Sequence, residues 1–188
     1  MARTKAYIED EVIDKALQLF WRNGYDTTSV RMLEKEMGIN QFSIYASFKN
    51  KQGVFLESIK CYKKKIKEEL LDKLNESSEG IEAIKQYFYD FIDFSKNNNL
   101  GKGCFLTNTV NELGQTADRL VMSEIKTFTT NLRNSFIKKL KLNQKNDDKT
   151  ITKQANYLII ALQGLSVASK VFEQEHLEDF IEEVFEHL

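Results

Sequence analysis

The sequence predicts an all-α fold, and three observations carry that expectation. The 188 residues contain no proline, so nothing in the chain interrupts a helix by removing an N–H. Apolar residues recur three and four apart through one segment after another, the period of a helix with one buried face. The breaks between those segments are clusters of Gly, Asn and Ser, the residues that end helices and form turns.

The first helix carries Ile8, Val12, Ile13, Ala16, Leu17 and Phe20 on one stripe and stops at Asn23-Gly24. A hydroxyl at Thr28 or Ser29 caps the second, whose apolar face is Val30, Leu33 and Met37. Gly38 takes the left-handed backbone that ends it, Ile39 plugs the corner, and Asn40 caps a third helix from Gln41 to about Ser47. Ile44 and Phe48 face inward there, leaving Gln41, Phe42, Ser43, Tyr45 and Ala46 outside. Two helices joined by a Gly-containing turn, the second polar on its outer face, make a helix-turn-helix whose second helix enters the major groove of double-stranded DNA.

The run Ala16-Leu17-Gln18-Leu19-Phe20, then Gly24-Tyr25, Thr27-Thr28-Ser29, Gly38-Ile39 and Tyr45-x-x-Phe48-x-x-Lys51 resembles the N-terminal domain of tetracycline-repressor (TetR) type regulators over roughly the first 55–60 residues, the size of a small domain. The resemblance implies a three-helix helix-turn-helix DNA-binding domain at residues 1–50. It also implies a helical effector-binding and dimerisation domain at 51–188. Thr28, Ser29, Asn40, Gln41, Phe42, Ser43, Tyr45, Ala46, Lys49 and Lys51 become the expected DNA contacts. Tyr45 and Lys51 are assigned to phosphates, Gln41 and Phe42 to base edges. Phe42 departs from the family, which usually carries a small residue there, so base preference does not carry over. Arg3 and Lys5 precede the first helix in an arm suited to a phosphate or a minor groove.

Lys49-Asn50-Lys51 opens a long helix to about Leu74, with Phe55, Ile59, Tyr62, Ile66 and Leu70 inward. The run Lys63-Lys64-Lys65, backed by Glu68 and Glu69, reads as a solvated face. Asn75 to Gly80 is a polar break, followed by a helix with Ile81, Ile84, Tyr87, Phe88, Phe91, Ile92 and Ser95 on its stripe. Lys96 to Gly103 is a loop. Ala117 to about Leu142 is a helix that buries Leu120, Ile125, Phe128, Leu132, Phe136 and Leu140. Asn143 to Lys149 is another loop. Ile151 to Phe172 follows, with Ala155, Leu158, Ile159, Leu162, Leu165, Ala168 and Val171 apolar, and Leu177, Phe180, Ile181, Val184 and Leu188 mark the last helix. By resemblance these two helices form a homodimer through a four-helix bundle, with Leu158, Leu162, Leu165, Phe180 and Val184 at the interface.

Gly103-Cys104-Phe105 resembles the Gly-Cys-led helix of one TetR subgroup, which includes repressors that answer electrophiles and oxidants through that cysteine. A thiol at a helix start, with Lys102 beside it, has its thiolate stabilised; a small residue packing a helix start fits the same letters. An unknown small-molecule effector is expected among Tyr62, Phe88, Phe91, Cys104, Phe105, Asn108 and Phe128; the five aromatics among them also suit plain core packing.

Other classes find little support. A net charge of −1 rules out general nucleic-acid binding, so DNA contact needs a local patch. With 41% hydrophobic and 29% charged residues, the chain is read as globular; no apolar run reaches membrane-spanning length and the first residues lack a signal-peptide core. Two cysteines make no disulfide framework, which fits a reducing cytoplasm. His176 and His187 lack partners at metal-ligand spacing, and neither a phosphate loop nor a nucleophile elbow occurs. No metal, cofactor or catalysis is expected. The sequence thus reads as a homodimeric DNA-binding regulator, a repressor released from a palindromic operator by a small effector. The competing reading is a dimeric helical ligand-binding or scaffold protein whose head does not bind DNA.

Overall fold

The computed structural model describes residues 7–96, 102–143, 146–186 and 188. Arg3, Lys5, most of the Lys96–Gly103 loop, part of the Asn143–Lys149 loop and His187 lie outside the described residues. Among the described residues ten α-helices follow in order: α1 Glu9–Asn23, α2 Val30–Met37, α3 Gln41–Phe48, α4 Lys51–Ile66, α5 Asp72–Glu76, α6 Ile81–Ser95, α7 Phe105–Leu113, α8 Arg119–Asn143, α9 Asp148–Ala168 and α10 Gln174–Glu186. A π-helical turn, Lys67–Leu71, joins α4 to α5, and a 3₁₀ turn, Gly114–Thr116, follows α7. No strand occurs among the described residues.

The chain forms two compact units, Met1–Lys64 with Asn108–Glu124, and Lys65–Thr107 with Ile125–Leu188. Helices α4, α7 and α8 each pass from one unit to the other along their length.

In the first unit, α1 buries Val12, Ile13, Ala16, Leu17 and Phe20 as its period requires. Ile8 is a correction: it is the N-cap residue, 62% exposed, because the helix begins one residue later. Phe20 meets Phe55 edge-on at 4.9 Å, and Trp21 meets Tyr62 at 5.1 Å, within the 4.5–7 Å at which aromatic pairs attract. Asn50 caps α4, accepting from the Gly53 N–H at 2.8 Å. Gly53 has a second duty. A Cβ there would stand 1.8 Å from the Phe48 carbonyl oxygen, so the close return from α3 to α4 admits only hydrogen.

The second unit packs α6 around Ile84, Phe88 and Phe91, with Phe88 edge-on to Phe185 at 5.1 Å. Lys139 is buried and donates to the carbonyls of Asn75 (3.2 Å) and Ser77 (2.5 Å), so a cation closes the end of α5. Asp147, in extended backbone, caps α9 by accepting from the Thr150 N–H at 2.7 Å. Helix α9 stops at Ala168, four residues before the expected end, so Val171 is exposed rather than buried. Leu120, expected on the buried stripe of α8, is exposed in its first turn.

Candidate nucleic-acid interface

The α2–α3 corner is fixed by four local devices. Ser29 accepts from the Met32 N–H at 3.2 Å and begins α2. Gly38 adopts φ 70°, ψ 22°, the left-handed conformation that turns the chain. Asn40 accepts from the Ser43 N–H at 2.9 Å, and Glu34 reaches across the turn to accept the Gln41 N–H at 2.5 Å. Two of the orphan donors of α3 are thereby satisfied by side chains.

Helix α3 is anchored from inside by Ile44 and Phe48, both buried, and this settles which face is free. Gln41, Phe42, Tyr45 and Ala46 are exposed, with Phe42 80% accessible. An aromatic ring that open, on an eight-residue helix, gains nothing from the fold. Ser43 is half-buried because the Tyr7 hydroxyl stands behind the helix, 2.7 Å from Ser47 Oγ and 3.4 Å from the Ser43 carbonyl. Nothing in the sequence pattern points to Tyr7.

Two of the expected DNA contacts have internal duties. Thr28 is fully buried and its hydroxyl donates to the Gly24 carbonyl at 2.6 Å, so it shapes the α1–α2 turn. Lys51 is half-buried; its ammonium donates to the carbonyls of Tyr25 (2.8 Å) and Thr28 (2.9 Å) and lies 4.2 Å from the Tyr25 ring centroid. The turn thus claims two of the three donors of Lys51. The exposed cations near α3 are Lys49, held at φ 69°, and Arg31 and Lys35 on α2. By contrast, Lys63 pairs with Glu124 at 2.5 Å and Lys64 approaches Asp10 at 3.8 Å, so much of that basic run is neutralised in place.

The expected effector residues divide between the units. Tyr62 and Asn108 lie in the first, Phe88, Phe91, Cys104, Phe105 and Phe128 in the second. Tyr62, Phe88, Phe91 and Phe105 are buried side chains of those cores, and Phe128 is half-exposed. Cys104 is half-exposed just before α7; its N–H donates to Ser166 Oγ at 2.7 Å. Lys170 is near enough for the thiol to act on its charge, although burial is the larger influence and lowers the ammonium. Of the expected dimer residues, Leu158, Leu162, Leu165 and Val184 are buried within the unit itself, while Phe180 is exposed. The exposed large apolar residues of α9 are Tyr157, Ile160 and Val167, with Val171 and Phe172 beyond it.

Fold and corner together define a helix-turn-helix protein with the all-helical architecture of TetR-type regulators. Residues 12–58 match the family described as bacterial regulatory proteins, tetR family. The Staphylococcus aureus (strain Newman) biofilm operon icaADBC HTH-type negative transcriptional regulator IcaR is 31% identical over 85 residues, 45% of this chain and 46% of that protein. The Escherichia coli (strain K12) HTH-type transcriptional repressor ComR is 30% identical over 112 residues, 59% of this chain and 53% of the other. The chain thus spans about half the length of the curated relatives it matches. A solved cysteine mutant of the TetR family transcriptional regulator CifR, complexed with 26 bp double-strand operator DNA, is 21% identical and covers 98% of both chains with a TM-score of 0.83, a likeness of fold.

Proposed function

We propose that this chain is a TetR-family transcriptional repressor that binds an operator as a homodimer. The observation that carries this reading is the free face of α3: Gln41, Phe42, Tyr45 and Ala46 stand in water on a short helix whose position is over-determined by caps, core and the Tyr7 hydroxyl. Base edges are read by such a face, with the exposed cations Arg31, Lys35 and Lys49 supplying phosphate contacts beside it. The named relatives are a negative regulator and a repressor of transcription, which favours repression. Two heads would occupy successive major grooves of a near-palindromic site, about one helical turn apart.

A second copy is met through the outer face of α9 and α10, where Ile160, Val167 and Phe180 are exposed. A small effector releases the DNA, by no more than its differential affinity for the two states. Cys104 is the candidate contact for an electrophile: a half-exposed thiol at the start of α7 with Lys170 nearby.

The test is selection of duplex DNA from a random-sequence library by the full chain. A near-palindromic site whose binding weakens steeply with salt supports the reading, with a slope of about −0.9 per phosphate neutralised. Gln41→Ala should relax preference at one or two positions of that site. Recovery of no duplex sinks it.

A further inference from the structure

The turn between α1 and α2 is gripped from two sides. Lys51 takes its carbonyls; a carboxylate from α7 takes its amides. Glu112 Oε2 accepts the Tyr25 N–H at 2.9 Å and Oε1 accepts the Asp26 N–H at 2.8 Å, one oxygen for each donor. Successive amides pointing one way form an anion-binding concavity, and a carboxylate filling one makes charge-assisted bonds stronger than neutral ones. The partners are 86 and 87 residues apart in the chain, so no local turn preference accounts for the contact.

Gly24 supplies independent support. It sits at φ 81°, and a Cβ built on it would fall 2.6–2.8 Å from the Glu112 carboxylate atoms. The turn has kept one side open for that group. Glu112 stands at an exposed site, where water competes with its carboxylate for the two amides. Such a contact is releasable at small cost.

We propose that Glu112 is a positioning residue for DNA binding: it latches α7 to the turn that leads into Ser29 and the α2–α3 corner, and letting go of the latch weakens DNA binding without removing any DNA contact. The proposal rests on the DNA-binding reading. Its regulatory sense comes from the chain itself, because α7 begins at Phe105 beside Cys104 and passes from the second unit to the first at Asn108.

The experiment uses the full chain, its Glu112→Ala and Glu112→Gln variants, and Gly24→Ala, which crowds the carboxylate from the other side. Amide exchange at Tyr25 and Asp26 reads the latch; affinity for the duplex selected by the parent reads its consequence. Glu112→Ala should speed exchange at both amides and weaken the duplex roughly tenfold, the loss of one to two hydrogen bonds, with the salt slope unchanged because no phosphate contact is lost. Glu112→Gln keeps one acceptor and should restore protection at one amide and an affinity between the two. Parental affinity in Glu112→Ala with both amides deprotected overturns the positioning role, and amides that stay protected overturn the latch. Failure of the DNA reading shows in the parent chain, which would select no duplex; failure of this inference shows only in the variants.

Discussion

The Lys51 ammonium donates to the Tyr25 carbonyl at 2.8 Å and also stands 4.2 Å from the centre of the same residue's ring. One side chain thus holds one residue by its backbone and by its π face. The ring is itself packed against Phe55 at 4.7 Å, so the turn is tied to the first residues of α4 and to the core at once.

From this follows the behaviour of Lys51→Met, which keeps the stem and removes the charge. Two carbonyls lose a donor and the cation–π contact goes, a loss of about 1–3 kcal/mol for a half-buried site. The expected outcome is a lower midpoint in thermal or urea unfolding. A direct phosphate contact would instead reduce the salt slope of DNA binding by about one. That slope should stay put.

Gly53→Ala should run against helix propensity. Inside an exposed helix the exchange gains up to about 1 kcal/mol, yet here the new methyl would lie 1.8 Å from the Phe48 carbonyl oxygen. Either α3 or α4 must shift, and overpacking of this kind costs about 1–3 kcal/mol. Calorimetry showing an unchanged or raised Tm would contradict the close approach.

Assembly and folding separate on α9. Ile160 is 68% exposed and Leu158 is fully buried, two residues apart. Ile160→Asp should give folded monomers by sedimentation, with a helical spectrum like the parent's. Leu158→Asp puts an unpaired charge in the core, costs several kcal/mol and should give unfolded or aggregated chain. Intact dimers in Ile160→Asp would move the interface elsewhere.

Stability should fall at both ends of the pH range. On the alkaline side, Tyr89 is pushed up to about 12, first by burial and then by its hydrogen bond to Glu182, and burial raises Tyr87 further. Groups raised in the folded state hold protons that the unfolded chain releases above about pH 10, so their contribution is full below that point and is lost as pH climbs toward 12. On the acid side, hydrogen bonds from Lys85 and Tyr89 hold Glu182 down, and the Thr150 N–H holds Asp147 down. Those contributions are present above the ordinary carboxylate range, about 4, and disappear as pH falls through the depressed values. Urea midpoints measured across pH give the curve. Tyr89→Phe should flatten its alkaline limb.

The sequence carried the helices and the corner well, because period and caps are local. Ser29, Gly38 and Asn40 do what their residue types predict within three or four residues of themselves. What it could not carry was long-range polar pairing. Lys51 looked like a surface cation at a helix start, and only the fold shows two carbonyls from residues 23 and 26 positions earlier converging on it. Glu112, Lys139 and Tyr7 are the same case: each polar end finds backbone or hydroxyl partners at least 36 residues away, and no periodicity records that. Exposure was misjudged where a helix ended early. Val171 belongs to the stripe of α9 by spacing, but α9 stops at Ala168.

The π-helical turn at Lys67–Leu71 makes chain length, more than residue identity, the sensitive variable in this stretch. At about 100° per residue, Ile66 and Leu74 on an uninterrupted α-helix would diverge by about 80°, yet both are buried. The wider turn takes up one extra residue and brings the two back toward the same side. Leu70 is buried and its size is constrained, but the other four residues should tolerate most exchanges of letter. Loss of one residue would let the turn close as plain α-helix with Ile66 and Leu74 still about 20° apart, whereas an added residue would swing Leu74 away from the core. In a lineage of such chains, insertions rather than deletions would be purged from this stretch.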